Sequence, residues 1–294
     1  MNPRGRWLTD APLAPLTTWR VGGPADVLFE PADRDDLQAV LRDLPADTPL
    51  TWLGLGSNVL IRDGGIRGVV IRLANTLDAI DVDRAGMRLM AEAGAHCARV
   101  AKVARDAGLA ALGFLAGIPG SIGGALAMNA GAWGGETWPE VEAAEVIYRD
   151  GRTAWLPANA VRYAYRHVEA PVGVAGFLAA RFRVQLDVEA AHALATRDSL
   201  ARRKASQPVG KPSAGSTFRN PPGDHAARLI EACGLKGFAI GGASVSTQHS
   251  NFILTAPGAR AADVEALIAE IRRTVAAQTG VDLHPEIRML GDAR

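Results

Sequence analysis

The chain has 294 residues, enough for two or three packed lobes, because single hydrophobic cores seldom grow beyond about 250 residues. It carries 32 basic and 31 acidic residues, so no basic field favours nucleic acid or an anionic membrane as a partner. The N-terminus lacks the apolar stretch of a signal peptide, and Cys97 and Cys233 fit buried free thiols better than a disulfide. We therefore expect a cytoplasmic protein with small-molecule partners.

The first part of the chain predicts an α/β lobe. A short strand at residues 27–29 precedes a helix at 34–44, in which Leu37, Val40, Leu41 and Leu44 recur at helical spacing. Further strands are predicted at residues 50–55, 59–62 and 69–71. The first two of these are joined by a turn over residues 54–58, which begins like a dinucleotide-binding fingerprint. It lacks the third glycine and precedes a strand, so a Rossmann site is disfavoured.

A predicted helix at residues 97–108 leads into an uncharged, glycine-rich segment. Residues 107–135 contain no charge and nine glycines. Their length would suit a membrane span, but the glycines, Pro119 and Asn129 interrupt it, so a continuous helix would be costly. We expect a buried loop whose backbone N–H groups approach a phosphate-bearing ligand, with a tightly packed strand pair as the alternative. The turns at 54–58 and 120–124 could together hold one diphosphate from two sides.

The remaining sequence predicts further strands, a hinge and another lobe with both helices and strands. Strands are expected at residues 145–148 and 176–186, a polar-faced helix at 189–204 and a hinge at 206–215. The lobe beyond the hinge is expected to contain a helix near 224–233, strands near 238–240 and 251–254, an amphipathic helix at 261–279 that ends at Gly280, and a last strand at 284–290.

Several polar residues in apolar surroundings are candidate site residues, although each alone is more often structural. They are Tyr165, Arg166, Lys204, Ser216, Arg219, Asn220, His249, Glu286 and Arg288. Glu286 is expected in a core strand, where a carboxylate must be paired or have its pKa raised, so it is a candidate acid or electrostatic partner. The chain has no Walker loop, no His-Glu-x-x-His and no Cys-x-x-Cys, so no metal site is expected. Neither Ser121 nor Ser216 lies in Gly-x-Ser-x-Gly, which weakens an acyl-transfer hydrolase.

Seven sequence runs, in the same order, resemble one known family, the UDP-N-acetylenolpyruvoylglucosamine reductases. The resemblance covers nearly the whole chain. The runs are Thr17-Thr18-Trp19-Arg20-Val21-Gly22-Gly23-Pro24-Ala25, Leu53-Gly54-Leu55-Gly56-Ser57-Asn58, Gly117-Ile118-Pro119-Gly120-Ser121-Ile122-Gly123-Gly124, Asn129-Ala130-Gly131-Ala132, Tyr165-Arg166, Ala214-Gly215-Ser216-Thr217-Phe218-Arg219-Asn220-Pro221 and Pro285-Glu286-Ile287-Arg288.

The resemblance implies an α+β protein with an FAD-binding fold of the vanillyl-alcohol oxidase type and a C-terminal α+β substrate-binding domain. It implies FAD-binding subdomains at residues 1–70 and 71–198, a substrate-binding domain at 199–282 and a returning strand at 283–294. FAD would be noncovalent and NADPH the hydride donor, and the protein would be a monomer. The FAD contacts would come from Arg20, Gly54, Gly56, Ser57, Asn58, Gly120, Ser121, Ile122, Gly123, Gly124, Asn129 and Gly131.

The resemblance also implies the reaction and the residues that perform it. Reduced flavin would pass a hydride to C3 of the enolpyruvyl group of UDP-N-acetylglucosamine enolpyruvate, and Ser216 would give a proton to C2. Arg166 and Glu286 would stabilise the enolate-like intermediate. Substrate contacts would come from Tyr165, Lys204, Arg219, Asn220, His249 and Arg288.

One departure concerns the cap over the nucleotide. One branch of the family carries a tyrosine in an insertion after the Tyr-Arg pair, whereas here only residues 167–180 separate Arg166 from Arg181, and none of them is tyrosine. The chain resembles the shorter branch, so Lys204, Arg219 or another arginine is expected to hold the diphosphate. Two other functions stay open: an FAD-dependent carbohydrate or alcohol oxidase, and a catalytically silent nucleotide-sugar binding protein.

Overall fold

The structure, a computed structural model, describes residues 3–74 and 76–293. These residues divide into two compact units. Unit 1 contains the described residues of Met1–Leu8, Leu28–Leu55 and Val69–Ala201, and unit 2 contains those of Thr9–Val27, Gly56–Gly68 and Arg202–Arg294. The four-part division expected from the resemblance stays a prediction, because compactness of the backbone does not test which segments bind a cofactor or a substrate.

Both units mix helices with short strands. The strands are β1 (Arg6–Pro12), β2 (Pro24–Glu30), β3 (Leu50–Leu53), β4 (Val59–Ile61), β5 (Ile66–Arg72), β6 (Ile80–Asp83), β7 (Arg88–Glu92), β8 (Leu109–Ala110), β9 (Gly131–Ala132), β10 (Gly135–Glu136), β11 (Val141–Tyr148), β12 (Thr153–Pro157), β13 (Arg162–Ala164), β14 (His167–Glu169), β15 (Val174–Arg183), β16 (Gln185–Leu186), β17 (Ala239–Ile240), β18 (Ala243–Val245), β19 (Ile253–Thr255) and β20 (Arg288–Leu290). The α-helices are α1 (Arg34–Asp43), α2 (Cys97–Asp106), α3 (Ile122–Met128), α4 (Thr137–Glu140), α5 (Ala191–Ser206), α6 (Ala226–Ala232) and α7 (Ala261–Thr279).

Unit 1 is built around an antiparallel sheet with strand order β12-β11-β15-β7-β6. Its central strand β15 buries Phe177 and Phe182, and α2 buries Cys97 and Val100 in the same core. Burial raises the pKa of the Cys97 thiol to about 12, so the thiol is neutral and unreactive near neutral pH. This core supports the uncharged segment that follows α2.

The buried carboxylate of Asp36 anchors the N-terminal segment of unit 1. Asp36 is 3% exposed and accepts hydrogen bonds from the backbone N–H groups of Arg4 and Gly5, each at 2.8 Å, and of Ala32 at 2.9 Å. Asp33 caps the start of α1 by accepting from the Asp36 N–H. The first turn of α1 therefore holds the backbone of residues 4 and 5, which are distant in sequence, and that of Ala32, which lies just before the helix.

Unit 2 packs the long helix α7 with the sheet β17-β18-β19. The predicted apolar stripe of α7 is buried, and the helix ends at Gly280, whose φ of 74° lies in the left-handed region. Trp19 is fully buried in this core, where its indole Nε1 donates to the carbonyl of Ile253 at 2.8 Å. The carbonyl of Trp19 accepts from the hydroxyl of Thr255 at 2.6 Å. These bonds fix the chain next to Arg20.

The helices predicted at residues 34–44, 97–108 and 261–279 are confirmed, within two residues, as α1, α2 and α7. The helix predicted at 189–204 is present as Ala191–Ser206, and the one near 224–233 as Ala226–Ala232. The strand predicted at 176–186 is broken at Val184, after which Gln185–Leu186 pairs with β8 instead of continuing along β11 and β7. The predicted last strand is regular only at Arg288–Leu290, so Glu286 lies before it.

Two further expectations were wrong. Residues 120–124 were expected in a loop, but Gly123 and Gly124 lie inside α3. A Cβ on Gly123 would be 3.0 Å from the Cβ of Ala93, so glycine there permits a contact between helix and neighbouring backbone that offsets its low helix propensity. Cys233 was expected to be buried, but it follows the last turn of α6 and is half-buried.

We predict that Trp19→Phe lowers the free energy of unfolding by about 1–3 kcal/mol, because it deletes a buried hydrogen bond and leaves a small cavity. Denaturant titration followed by circular dichroism measures this change. Trp155→Phe is the matched control, since Trp155 is 41% exposed and keeps an aromatic ring. Equal effects of the two substitutions would contradict the anchoring role of Trp19.

Candidate functional site

The predicted site residues are divided between the two units. Unit 1 holds Gly54, Gly120, Ser121, Ile122, Gly123, Gly124, Asn129, Gly131, Tyr165 and Arg166. Unit 2 holds Arg20, Gly56, Ser57, Asn58, Lys204, Ser216, Arg219, Asn220, His249, Glu286 and Arg288.

In unit 1 the structure brings the two predicted glycine turns together. A Cβ on Gly54 would lie 2.8 Å from the hydroxyl Oγ of Ser121, closer than real Cβ atoms come to a neighbour. Ser121 is buried and precedes α3 as its N-cap residue. Glycine at position 54 therefore lets the turn after β3 approach the start of α3.

The start of α3 is tied to the protein on one side and open on the other. The N–H groups of Ile122 and Gly123 donate to the carbonyls of Ala95 and Ala93 at 2.9 and 2.8 Å. A ligand phosphate would have to share these two amides. Gly124, by contrast, is exposed, and a Cβ there would meet only the Ser121 hydroxyl, at 3.8 Å. The exposed surface of the turn thus lies at Gly124.

The other end of α3 holds the Arg166 side chain. Asn129 ends the helix with a left-handed φ of 43°, and the guanidinium of Arg166 donates from Nη1 to the Asn129 carbonyl at 3.2 Å and from Nη2 to the Gly131 carbonyl at 2.8 Å. Arg166 occupies the turn between β13 and β14 with a φ of 55°, where a residue with a side chain is strained. Its guanidinium lies 4.7 Å from the ring centre of the exposed Tyr165. The cation is therefore held in a defined orientation.

The side chain of Asn129, predicted as a cofactor contact, is fully buried and used within the protein. Its Nδ2 donates to the carboxylate of Glu136 at 2.9 Å and to the carbonyl of Ala164 at 3.1 Å, while its Oδ1 accepts from the Trp138 N–H at 3.0 Å. Its backbone is used as well, because its N–H donates to the carbonyls of Ala125 and Leu126 and its carbonyl accepts from Arg166. Sequence reasoning missed Glu136, although its position as the first charge after the uncharged segment was a usable signal.

In unit 2 the turn at residues 56–58 connects two of the sequence runs. The N–H of Thr18 donates to the Gly56 carbonyl at 3.0 Å, and Arg20 follows as an exposed residue with a φ of 58°. On its other side the Asn58 carbonyl accepts from the N–H of Arg288 at 3.0 Å. The predicted cofactor turn thus contacts the segment that carries Glu286.

The segments of Ser216 and Glu286 are hydrogen-bonded to each other. The N–H of Glu286 donates to the carbonyl of Thr217 at 2.8 Å, and Phe218 forms an antiparallel bridge with Pro285. The amide of Asn251 fixes the same place, because its Oδ1 accepts from the N–H of Phe218 and its Nδ2 donates to the Phe218 carbonyl. The residues predicted as proton donor and carboxyl are therefore on adjacent backbone segments, and both are half-buried.

Three buried polar side-chain atoms of this region lack a hydrogen-bond partner among the described residues. They are the Oγ1 of Thr217, the Nε of Arg219 and the Nδ1 of His249. Buried polar groups are almost always paired, so three unpaired atoms in one region are unusual. Burial, together with the positive charge of Lys236, lowers the pKa of His249 below its ordinary value of 6.5. His249 is therefore a neutral imidazole near neutral pH.

The other predicted substrate residues differ in how far they are available. The side-chain Oδ1 of Asn220 accepts from the N–H of Ala226 at 3.1 Å, which leaves its amide nitrogen for a ligand. Lys204 and Arg288 are exposed.

A separate cavity of about 450 Å³ in unit 2 is lined by Asp10, Asp63, Arg260 and Glu265 and by none of the predicted site residues. Asp63 accepts from two N–H groups at the start of α7 and acts as its cap.

Comparison with known proteins covers both parts of the chain. A family model described as an FAD binding domain matches residues 25–157, and one described as the C-terminal domain of UDP-N-acetylenolpyruvoylglucosamine reductase matches residues 207–290. The UDP-N-acetylenolpyruvoylglucosamine reductase of Methylococcus capsulatus is 52% identical over 99% of this chain and 95% of its own length. The enzyme of that name from Alkalilimnicola ehrlichii is 50% identical over 96% of this chain and 94% of its length.

A solved structure resembles the whole chain as well. The crystal structure of UDP-N-acetylenolpyruvylglucosamine reductase from Thermus caldophilus has a TM-score of 0.82 and 33% identity, covering 98% of this chain and 99% of that one. The expected α+β class, with an FAD-binding domain followed by a C-terminal domain, is thereby confirmed.

The residues of unit 1 fit an FAD pyrophosphate. Gly54 lies close to Ser121 and Gly124 is exposed, so neither glycine carries a side chain that would keep a phosphate from the backbone. Among residues 3–74 and 76–293, no group of three His, Cys, Asp or Glu side chains is arranged to hold a metal ion. In the same residues no helix combines the length and apolarity needed to cross a bilayer.

We predict that Gly124→Ala weakens FAD binding without destabilising the FAD-free protein. Alanine replaces glycine inside a helix, which favours folding by up to about 1 kcal/mol, while its methyl group occupies the open surface of the turn. We expect a rise of roughly tenfold in the FAD dissociation constant, equivalent to about 1.4 kcal/mol, by fluorescence titration. Gly54→Ala is the contrasting variant, since it should lower both FAD affinity and melting temperature. Unchanged FAD affinity in Gly124→Ala would remove Gly124 from the FAD site.

We predict that His249 contributes to a loss of stability in acid. The pKa of His249 is lowered in the folded protein. Its contribution to the free energy of unfolding is therefore fully present above pH 6.5, where the imidazole is neutral in the folded and the unfolded protein, and it declines as the pH falls below that value. Between about pH 7.5 and about pH 5.5 the melting temperature of the wild type should therefore fall more than that of His249→Gln. Parallel pH profiles for the two proteins would show that the imidazole is equally easy to protonate in both states.

Proposed function

This chain belongs to the UDP-N-acetylenolpyruvoylglucosamine reductase family, and on that premise we propose that it reduces UDP-N-acetylglucosamine enolpyruvate to UDP-N-acetylmuramate with NADPH, in peptidoglycan synthesis. FAD held by this chain would supply the two-electron chemistry between NADPH and C3 of the enolpyruvyl group. The turn at Gly54 and the start of α3 at Ser121 and Gly124, which lie close together, would hold the FAD pyrophosphate. Arg20 and the turn at residues 56–58 are proposed as further FAD contacts.

Arg166 is proposed to stabilise the negative charge that develops on the substrate. Hydride addition at C3 pushes charge through C2 onto the substrate carboxylate, and a planar guanidinium can bind both carboxylate oxygens. Two backbone carbonyls already orient this guanidinium, at 3.2 and 2.8 Å. A donor fixed before the reaction is worth about 3–4 kcal/mol in comparable oxyanion sites.

Ser216 and Glu286 are proposed to complete the reaction at C2. The observation that carries this assignment is the 2.8 Å hydrogen bond from the Glu286 N–H to the Thr217 carbonyl, because it puts the hydroxyl-bearing segment beside the carboxyl-bearing one. A serine hydroxyl is a weak acid, so it can give its proton to C2 only if a neighbour stabilises the product or returns a proton. Lys204 or water would return that proton, and Glu286 would assist the charge as an acid.

The remaining substrate contacts are proposed for Arg219, His249 and the amide nitrogen of Asn220, together with the exposed Lys204, Arg288 and Tyr165. The small net charge of +1 agrees with partners that are small molecules and not nucleic acid or membrane. We further propose a monomer in the cytoplasm, where nucleotide sugars and NADPH are available.

Family membership favours the reductase over an FAD-dependent oxidase of the same fold. A catalytically silent nucleotide-sugar binding protein would need no hydroxyl at position 216, and the following experiment distinguishes it from the reductase.

We predict that Ser216→Ala leaves the bleaching of the flavin by NADPH unchanged and slows its recolouring by the enolpyruvyl nucleotide sugar by roughly 100-fold or more, because a positioned proton donor is lost. Anaerobic stopped-flow absorbance measures the two half-reactions separately. Ser244→Ala, in β18, is the matched control and should change neither rate. Equal losses in both half-reactions would contradict proton donation by Ser216, and wild-type protein that is never recoloured would contradict the reductase itself.

A further inference from the structure

We propose that Glu136 is a positioning residue for Arg166 and that it acts through Asn129. The proposal rests on the proposed function, in which Arg166 binds the developing charge. Glu136 accepts the Nδ2 hydrogen bond of Asn129 at 2.9 Å, and the backbone carbonyl of Asn129 accepts from Nη1 of Arg166 at 3.2 Å. The carboxylate is therefore connected to the guanidinium through one intervening residue.

The connection is made twice, once on each side of a short hairpin. Glu136 in β10 pairs with Gly131 in β9, and the Gly131 carbonyl accepts from Nη2 of Arg166 at 2.8 Å. Glu136 is therefore the strand partner of Gly131, whose carbonyl binds the second guanidinium nitrogen of Arg166. A change at position 136 is expected to move both carbonyls that orient Arg166.

Asn129 transmits this constraint because its amide has little freedom. The residue is fully buried, its backbone is left-handed, and its second Nδ2 hydrogen bond goes to Ala164, two residues before Arg166. Without an acceptor at position 136, one N–H of the buried amide would be left unpaired, and the amide would rotate or draw in water. The turn at residues 164–166 and the Asn129 carbonyl would then shift together.

The charge of Glu136 makes it suited to this task. A carboxylate accepts a hydrogen bond roughly twice as strongly as a neutral oxygen, which favours one orientation of the Asn129 amide over its flipped alternative. A displacement of about 1 Å in a substrate-binding group can cost about 100-fold in rate. A fixed amide is therefore valuable next to a catalytic cation, and a purely structural hairpin would not need it.

The first arm of the test compares half-reactions of the FAD-loaded protein. Glu136→Ala should slow recolouring of the flavin by the enolpyruvyl nucleotide sugar by about 10- to 100-fold while bleaching by NADPH changes less than about twofold. Glu136→Gln keeps an acceptor oxygen and should restore most of the rate. Glu142→Ala is the matched control, because Glu142 in the same unit pairs with Arg88 instead. If Glu136→Ala fails to fold, Glu136→Asp replaces it, since the shorter carboxylate cannot reach Asn129.

The second arm tests coupling and does not depend on one substitution alone. In an Arg166→Ala background, Glu136→Ala should cause no further loss of the recolouring rate, because a residue that acts through Arg166 has nothing left to position. Additive losses, no loss in the single variant, or equal losses in both half-reactions would each overturn the proposal.

The third arm measures the side chain directly and needs no turnover. With arginine labelled in its guanidinium, the two Nη signals of Arg166, assigned from Arg166→Lys, should be separate in the wild type, because two carbonyl hydrogen bonds hinder rotation. They should merge in Glu136→Ala and separate again in Glu136→Gln. Separate signals in all three proteins would overturn the positioning role. If the reductase assignment itself were wrong, this arm would still decide whether Glu136 holds Arg166.

Discussion

The left-handed backbone at Asn129 is the constraint on which the arrangement of unit 1 depends. It ends α3 after seven residues and turns the chain so that the carbonyls of residues 129 and 131 face the Arg166 guanidinium. The same helix begins at Ser121, beside Gly54. One short helix therefore sets the spacing between a backbone surface suited to a phosphate bridge and a cation suited to a carboxylate.

In unit 2, strand-like backbone pairing instead of a helix holds the predicted site segments together. Residues 217 and 286 are joined by a hydrogen bond, and Asn251 clamps Phe218 from the other side. The polar groups around this pairing, Thr217, Arg219 and His249, are buried without partners of their own among the described residues. Unpaired buried polar atoms cost free energy in the folded protein, so this part of unit 2 is less stable than it would be with full pairing.

The sequence is most informative where apolar residues recur over several helical turns or where many residues of a motif follow one another. The apolar stripe of α7 and the pattern of α1 correctly predict helices, and the runs around Gly54, Ser121 and Ser216 correctly indicate the family. Short hairpins such as β9–β10 and β13–β14 were missed, since two or three residues carry no measurable alternation. The helix α3 was missed because glycine lowers helix propensity, while its close packing against Ala93 depends on tertiary structure. Glu136 could not be linked to Arg166 because the connection runs through backbone carbonyls, which no side-chain motif reports.

The triple hydrogen bonding of Asp36 has a practical consequence for handling the protein. Because the carboxylate takes two of its three backbone donors from residues 4 and 5, these residues belong to the folded architecture. Shortening the gene past the fifth codon would remove both donors from a desolvated anion in the first helical turn, so expression vectors should keep these two codons.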